Sequence, residues 1–139
     1  MSHLYVPLLL QVVLNQKVLL EKNTIFVEFK GALTEQFVLQ QLKTIENLPV
    51  YYWSAENARA EVDFVIQADD NVIPVEVKAE ENLQAKSLRV YAEKFKPKTI
   101  IRTSMANYRQ EQWMQNIPLY ALPHVIDGLM GESTPKTFF

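Results

Sequence analysis

The amino-acid sequence predicts a mixed α/β domain, on three observations. At 139 residues the chain fits one domain with a sizeable core and leaves little room for a second. Apolar residues recur at helical spacing in two separate segments, around residues 33–45 and 83–95. Between and after them lie short runs of alternating or strand-forming residues, bounded by turn chemistry. The resulting order of helix, three strands, helix, strand and short strand belongs to no all-α or all-β architecture.

Each element has its own signal. Residues 8–20 place Leu8, Val12, Leu19 and Leu9, Val13, Leu20 at mostly helical intervals, with β-branched content that fits a short helix or a buried strand equally. Residues 21–24 read as a loop before the apolar Ile25, Phe26 and Val27. After Gly31, Thr34 is placed to cap a helix reaching about Asn47. Leu33, Phe37, Val38, Leu42 and Ile45 share its broad face, and Glu35 stands in its first turns. Pro49 precedes the strand formers Val50, Tyr51, Tyr52 and Trp53.

Residues 61–67 alternate, with Val62, Phe64 and Ile66 on one face and Glu61, Asp63 and Val65 on the other. Asp69, Asp70 and Asn71 are turn residues, so the run 72–78 closes a hairpin. Helical spacing returns over 82–95 through Leu83, Leu88, Tyr91, Ala92 and Phe95, and Pro97 ends it. A strand at 99–103 follows, then a polar helix or loop at 107–116 and a short strand at 117–122. A helical turn opened by Pro123 ends near Gly128. The tail, 131–139, is expected to fray.

Composition excludes several functions. Fourteen Lys and Arg against sixteen Asp and Glu give a net charge of -2, so bulk charge does not hold the chain on nucleic acid. The only glycines are Gly31, Gly128 and Gly131, so no phosphate-cradling loop of the dinucleotide or P-loop kind can be written. The absence of cysteine removes disulfides and thiolate chemistry and is compatible with the cytoplasm. His3 and His124 stand alone and read as surface or packing residues. The apolar stretch at 4–14 is broken by Pro7 and Gln11 and is shorter than the roughly 20 residues of a membrane helix. It also lacks the basic start of a signal peptide, so no membrane partner is expected.

One constellation carries chemistry. Val75 and Val77 point to one face of their strand, so Glu76 and Lys78 point together to the other. With neighbouring strands about 4.8 Å apart, the right hairpin register brings Asp63 beside Glu76. Two carboxylates sharing a spot call for a cation, and hard oxygen ligands favour Mg²⁺ or Mn²⁺. Lys78 would then orient a metal-bound water and offset charge on a phosphorane, and Glu35 would add a third carboxylate if its helix packs on this sheet. That set suits metal-assisted phosphodiester hydrolysis. The competing account is a solvated polar face with cross-strand ion pairs, each worth under about 1 kcal/mol. A second E-x-K triplet, Glu28-Phe29-Lys30, has no aspartate before it.

Asp63 and Glu76-Val77-Lys78 on adjacent strands, after a glutamate-bearing helix and before a basic one, resemble the PD-(D/E)xK nuclease-like fold. Four blocks extend the likeness: Gly31-Ala32-Leu33-Thr34-Glu35-Gln36-Phe37-Val38, Glu61-Val62-Asp63-Phe64-Val65-Ile66, Pro74-Val75-Glu76-Val77-Lys78-Ala79 and Asn116-Ile117-Pro118-Leu119-Tyr120-Ala121. In that order, over residues 25–128, they resemble the C-terminal domain of unknown function that follows the P-loop module in prokaryotic AAA-type ATPases. The resemblance implies a restriction-endonuclease-like core, a central mixed β-sheet flanked by helices. It also implies Glu35 as the helix acid, Asp63 and Glu76 as metal ligands, and Lys78 as the catalytic lysine. Val62 stands where the fold's name has proline.

On that likeness, residues 25–130 form the nuclease-like domain. Residues 1–24 would be the remnant of a connection to an ATPase module on the same full-length polypeptide, and the chain a piece of that protein or a shortened paralogue. The near-neutral net charge hides a polarity. Residues 56–81 carry eight acids against Arg59 and Lys78, while residues 86–102 carry six bases against Glu93. Lys86 and Arg89 are expected on the phosphates of DNA, unless the helix simply presents a solvated face. Tyr51, Tyr52 and Trp53 would either stack bases or fill the core. Two functions follow: a Mg²⁺-dependent nuclease-like domain, or an inactive module of the same fold serving DNA binding, protein binding or assembly.

Overall fold

The computed structural model describes residues 24–79 and 84–131, with side chains from Phe29 onward. The reading of residues 8–20, most of the proposed connecting segment and the tail beyond 131 lie outside the described residues. The first helix, α1 (Thr24–Lys43), starts well before Thr34 and runs through Gly31. Thr34 is therefore no cap. Its hydroxyl donates to the Lys30 carbonyl one turn earlier, 2.7 Å away. Glycine inside a helix costs about 1 kcal/mol, which tertiary packing readily overrides, and Val38 and Leu42 of α1 are fully buried. The last turn tightens through the Thr44 and Ile45 amides, and Asn47 turns the chain out of the helix at φ 59°.

Strands β1 (Val50–Ser54), β2 (Glu61–Ala68) and β3 (Asn71–Lys78) precede helix α2 (Lys86–Phe95) and strands β4 (Ile101–Ser104), β5 (Arg109–Gln110) and β6 (Gln115–Pro118). A 3₁₀ turn (Leu119–Ala121) leads into α3 (Leu122–Gly131). The strands form one sheet in the order β1-β2-β3-β4-β6-β5. The β1, β2 and β3 pairings are antiparallel, β3-β4-β6 are parallel, and β5 joins β6 antiparallel. Asp69 takes φ 54° in the two-residue turn of the β2-β3 hairpin, a conformation that Asp tolerates better than most residues.

The layers follow from the side chains. Val38 and Leu42 of α1, Leu122 and Ile126 of α3, and Ile66, Ile73, Val75, Val77, Ile101 and Ile117 of the sheet fill one core. Leu88 and Tyr91 of α2 close a second over Val62, Val65, Ile100 and Met114. This is the expected α/β architecture, a mixed central sheet flanked by helices and consistent with a restriction-endonuclease-like core. All four residues of β4 are buried because both sheet faces are covered there. No helix among the described residues is long and apolar enough to cross a membrane.

Two expectations are corrected and one is sharpened. Tyr51 pairs with Val65 but Trp53 with Val62, so Asp63 and Phe64 together oppose the single Tyr52, a β-bulge. Strict alternation fails at that point, and Val62 joins Val65 in the α2 core instead of Ile66 on the other face. Residues 107–116, expected as a polar helix or a loop, are mostly loop around the two-residue edge strand β5, and the last two open β6. The strand expected at 117–122 ends at Pro118, whose φ of -54° leads into the 3₁₀ turn, and the helix behind it reaches Gly131. Tyr51 and Tyr52 are exposed on the edge strand β1, whereas Trp53 packs edge-on against Tyr91 and Phe95.

Candidate active site

Glu35 from α1, Asp63 from β2, and Glu76 and Lys78 from β3 meet where β2 and β3 part. The last ladder pair toward that end is Phe64 with Val75, and one further step of register sets Asp63 opposite Glu76. In place of a continued ladder, Asp63 Oδ2 accepts the Val77 backbone N–H at 2.7 Å. A hydrogen bond to an ionised group is worth about 1.5–3 kcal/mol, so this contact anchors the aspartate firmly. The bulge turns Asp63 so that it also hydrogen-bonds the Glu35 side chain. Glu76 points to the α2 side, and its Oε1 lies 3.0 Å from Lys78 Nζ.

Burial is the largest influence on all three acids, and it raises each pKa. The Glu35 carboxyl, although its residue is otherwise exposed, is desolvated where it turns in. With repulsion from Asp63, the Asp63 hydrogen bond and Glu61 adding to that, its pKa rises from 4.5 to about 7 despite Lys78. Burial also raises Asp63, against the pull of the Val77 amide, Lys78 and the Glu35 hydrogen bond. It raises Glu76 too, opposed first by Lys78, with Asp63 raising it further and Arg102 lowering it. Lys78 is thus the counter-charge shared by three carboxyls. Three acids of raised pKa gathered around one lysine mark a functional-site candidate on physical grounds.

The donor set fits a small divalent cation held by few protein ligands. Glu76 is 6 % exposed, and its Oε2 is buried with no hydrogen-bond partner. An orphaned carboxylate oxygen is costly unless a cation or proton occupies it. Mg²⁺ commonly takes one or two carboxylates and keeps several waters, which Asp63 and Glu76 satisfy. A cage of three protein donors is absent among the described residues.

A second polar group continues across the sheet on the α2 side. Glu76 is the cross-strand neighbour of Arg102, and Arg102 of Asn116. Arg102, 2 % exposed, donates from Nε to Asn116 Oδ1 at 3.1 Å and from a terminal nitrogen to Glu111 Oε1 at 2.9 Å. Ser104 donates to the same Asn116 oxygen at 2.8 Å, and Asn116 donates to the carbonyls of Ala106 and Asn107. Arg102 belongs to the basic block 86–102 in sequence, yet it is buried in the sheet and not displayed on the surface. Its clue was a charge within a strand buried on both faces, which alternation alone cannot locate.

Lys86 and Arg89 stand on the first turn of α2, on the edge of this second group, with the Arg89 guanidinium 4.9 Å from the Trp113 ring centre. A cavity lined by Glu76, Lys78, Gln84, Lys86 and Ser87 joins Lys86, but not Arg89, to the acid cluster. Lys94 instead lies against Trp53 and Phe95, away from that cavity.

The family model for a domain of unknown function, DUF4143, matches residues 30–122, a span that holds every side chain of the candidate site. No curated protein and no solved structure matches the chain. The match covers most of the sequence, and the chain belongs to the DUF4143 family.

Proposed function

We propose, from that membership and the site geometry, that this domain is nuclease-like and hydrolyses phosphodiester bonds of DNA with Mg²⁺ or Mn²⁺. The observation that carries the reading is the convergence of Glu35, Asp63, Glu76 and Lys78 in one charge-coupled cluster containing an orphaned carboxylate oxygen. Asp63 and Glu76 would hold the metal, which when bound polarises a phosphoryl oxygen and lowers the pKa of water. Val77 fixes the Asp63 carboxylate through its amide, so the ligand is positioned before substrate arrives. Lys78, beside Glu76, offsets negative charge developing on the phosphorus oxygens. Glu35 holds a proton against Asp63 near neutral pH and can give it up when positive charge enters the cluster. Lys86 and Arg89 would meet the DNA backbone on the α2 side. The full-length protein would carry a P-loop ATPase module on the same polypeptide and work in the cytoplasm.

The test is incubation of plasmid and branched DNA with Mg²⁺ or Mn²⁺, comparing wild type with Asp63→Asn and Lys78→Ala. Cleavage by wild type alone supports the reading; equal activity in all three overturns it. A second reading is favoured by the way these groups already satisfy one another, Lys78 with Glu76 and Asp63 with Val77 and Glu35. It makes the domain an inactive module that binds DNA or a partner protein, or mediates assembly. Metal titration separates the two, because a cation that binds only the folded site raises the melting temperature.

A further inference from the structure

Helix α1 is apolar on two nearly opposite sides, and the sheet covers one of them. Val38 and Leu42 face the core and are fully buried. Leu33, Phe37 and Gln40 follow at i, i+4 and i+7 on a line roughly 150° away around the helix, at about 100° per residue. Together with Met105, directly after β4, and Leu119 and Tyr120 of the 3₁₀ turn, they line a groove of about 600 Å³. Phe37 is 47 % exposed, and Met105 and Tyr120 are each 77 % exposed. A solvated outer helix face ordinarily carries charge. Between Gly31 and Leu42 the only charged residue is Glu35, whose carboxyl is turned to Asp63. A helix without a charged outer side suits packing on both sides, and an apolar groove there marks an interaction surface.

We propose that residues 8–20 of the same chain dock in this groove, folded back along α1 as the second helix of an αα-hairpin. Position and length single out that segment. Residues 21–23 separate it from Thr24, and a connection of roughly 2–5 residues is what joins antiparallel helices. With residue 20 level with Thr24, Leu8, Leu9 and Leu10 come level with residues 34–36, between Leu33 and Phe37. Residues 8–20 span about 20 Å as a helix, matching the rise from Thr24 to Phe37, whereas as a strand they run about 43 Å and overshoot the groove. Length thus selects the helix from the two conformations that their periodicity allows. Leu8, Leu9, Val12, Val13, Leu19 and Leu20 fill less than half of such a helix's circumference, and Lys17 is its only charge. An apolar stripe therefore meets an apolar groove. The segment is then part of the domain, and it packs from outside on the helix that supplies Glu35. None of this depends on what the acid cluster does.

The chain has no cysteine, so a pair can be introduced without background. Leu9→Cys with Phe37→Cys, treated with a short bismaleimide in dilute solution, is read by intact mass. The control is Leu9→Cys with Glu93→Cys, an exposed position on α2 across the sheet. Bridging within one molecule at least about tenfold faster in the first pair supports the proposal. Equal bridging in the two pairs, or none in the first, overturns it. Bridging between two molecules assigns the groove to a second copy and overturns it as well. Melting gives an independent reading that needs no cysteine. Phe37→Ala should lower the melting temperature by about 5 °C in the otherwise unchanged chain, and by under about 1 °C once Leu9→Asp and Val13→Asp have undocked the segment. No loss in the unchanged chain, or equal losses in both backgrounds, refutes docking of this segment.

Discussion

Glu35→Gln is the most direct probe of the charge coupling on which the site depends. Glutamine keeps the shape of the side chain and its ability to donate to Asp63, and removes only the ionisation. The folded-state pKa of about 7 lies above the ordinary 4.5, so between these values the folded protein holds a proton that the unfolded chain has lost. Stability therefore falls as pH rises through that window. Below 4.5 the carboxyl is neutral in both states and the substitution should change nothing. Above 7 the wild type carries a charge disfavoured by burial and by Asp63, and the variant does not. At 1.36 kcal/mol per pKa unit the ceiling is about 3 kcal/mol, and solvent screening at this exposed residue reduces it to about 1 kcal/mol. For a chain of this size that is roughly 3–5 °C in melting temperature. Circular-dichroism melts of both proteins on either side of the window read the effect. The variant should melt higher than wild type at alkaline pH and equal to it at acid pH. An equal difference at both, or a loss at alkaline pH, refutes the coupling.

Three further outcomes follow. Arg102→Met leaves Glu111 and Asn116 without their buried partner and should cost about 3–5 kcal/mol, lowering the melting temperature by roughly 10–20 °C; a loss under about 3 °C would show that the network carries little. Under the proposed metal site, Mg²⁺ at a hundredfold excess over Kd should stabilise wild type by about 2.7 kcal/mol, and Glu76→Gln should abolish that gain; a gain that survives removes Glu76 from the proposed ligands. Ala58→Gly in the β1-β2 turn relieves a left-handed residue at φ 53° and should stabilise by about 0.5–1 kcal/mol, read as an upward shift in urea midpoint; a downward shift would show that the residue is not strained.

Periodicity located the β2-β3 hairpin because its signals are local: alternation, two aspartates for the turn and apolar residues at a two-residue repeat. The same periodicity failed at Asp63, since a bulge is defined by the partner strand and leaves no mark in the alternating strand itself. Thr34 has the composition of a cap and the position of a mid-helix residue, and only its bond to Lys30 distinguishes them. Glu35 was recognisable as a candidate acid. Its proton affinity was not, because that depends on desolvation and on Asp63, twenty-eight residues away in the chain.

Sequence alone determined the α/β class, the hairpin that carries Asp63, Glu76 and Lys78, and the polarity between an acidic block and a basic one, since all three are written in spacing and charge along the chain. Tertiary structure decided how these parts meet. The bulge brings Asp63 to Glu35, parallel pairing sets Arg102 between Glu76 and Asn116, and α2 brings Lys86 and Arg89 over the same cavity as Arg109. Burial, shared counter-charges and pocket walls are properties of residues distant in sequence. They exist only once the sheet has chosen its register and the helices have closed on its two faces.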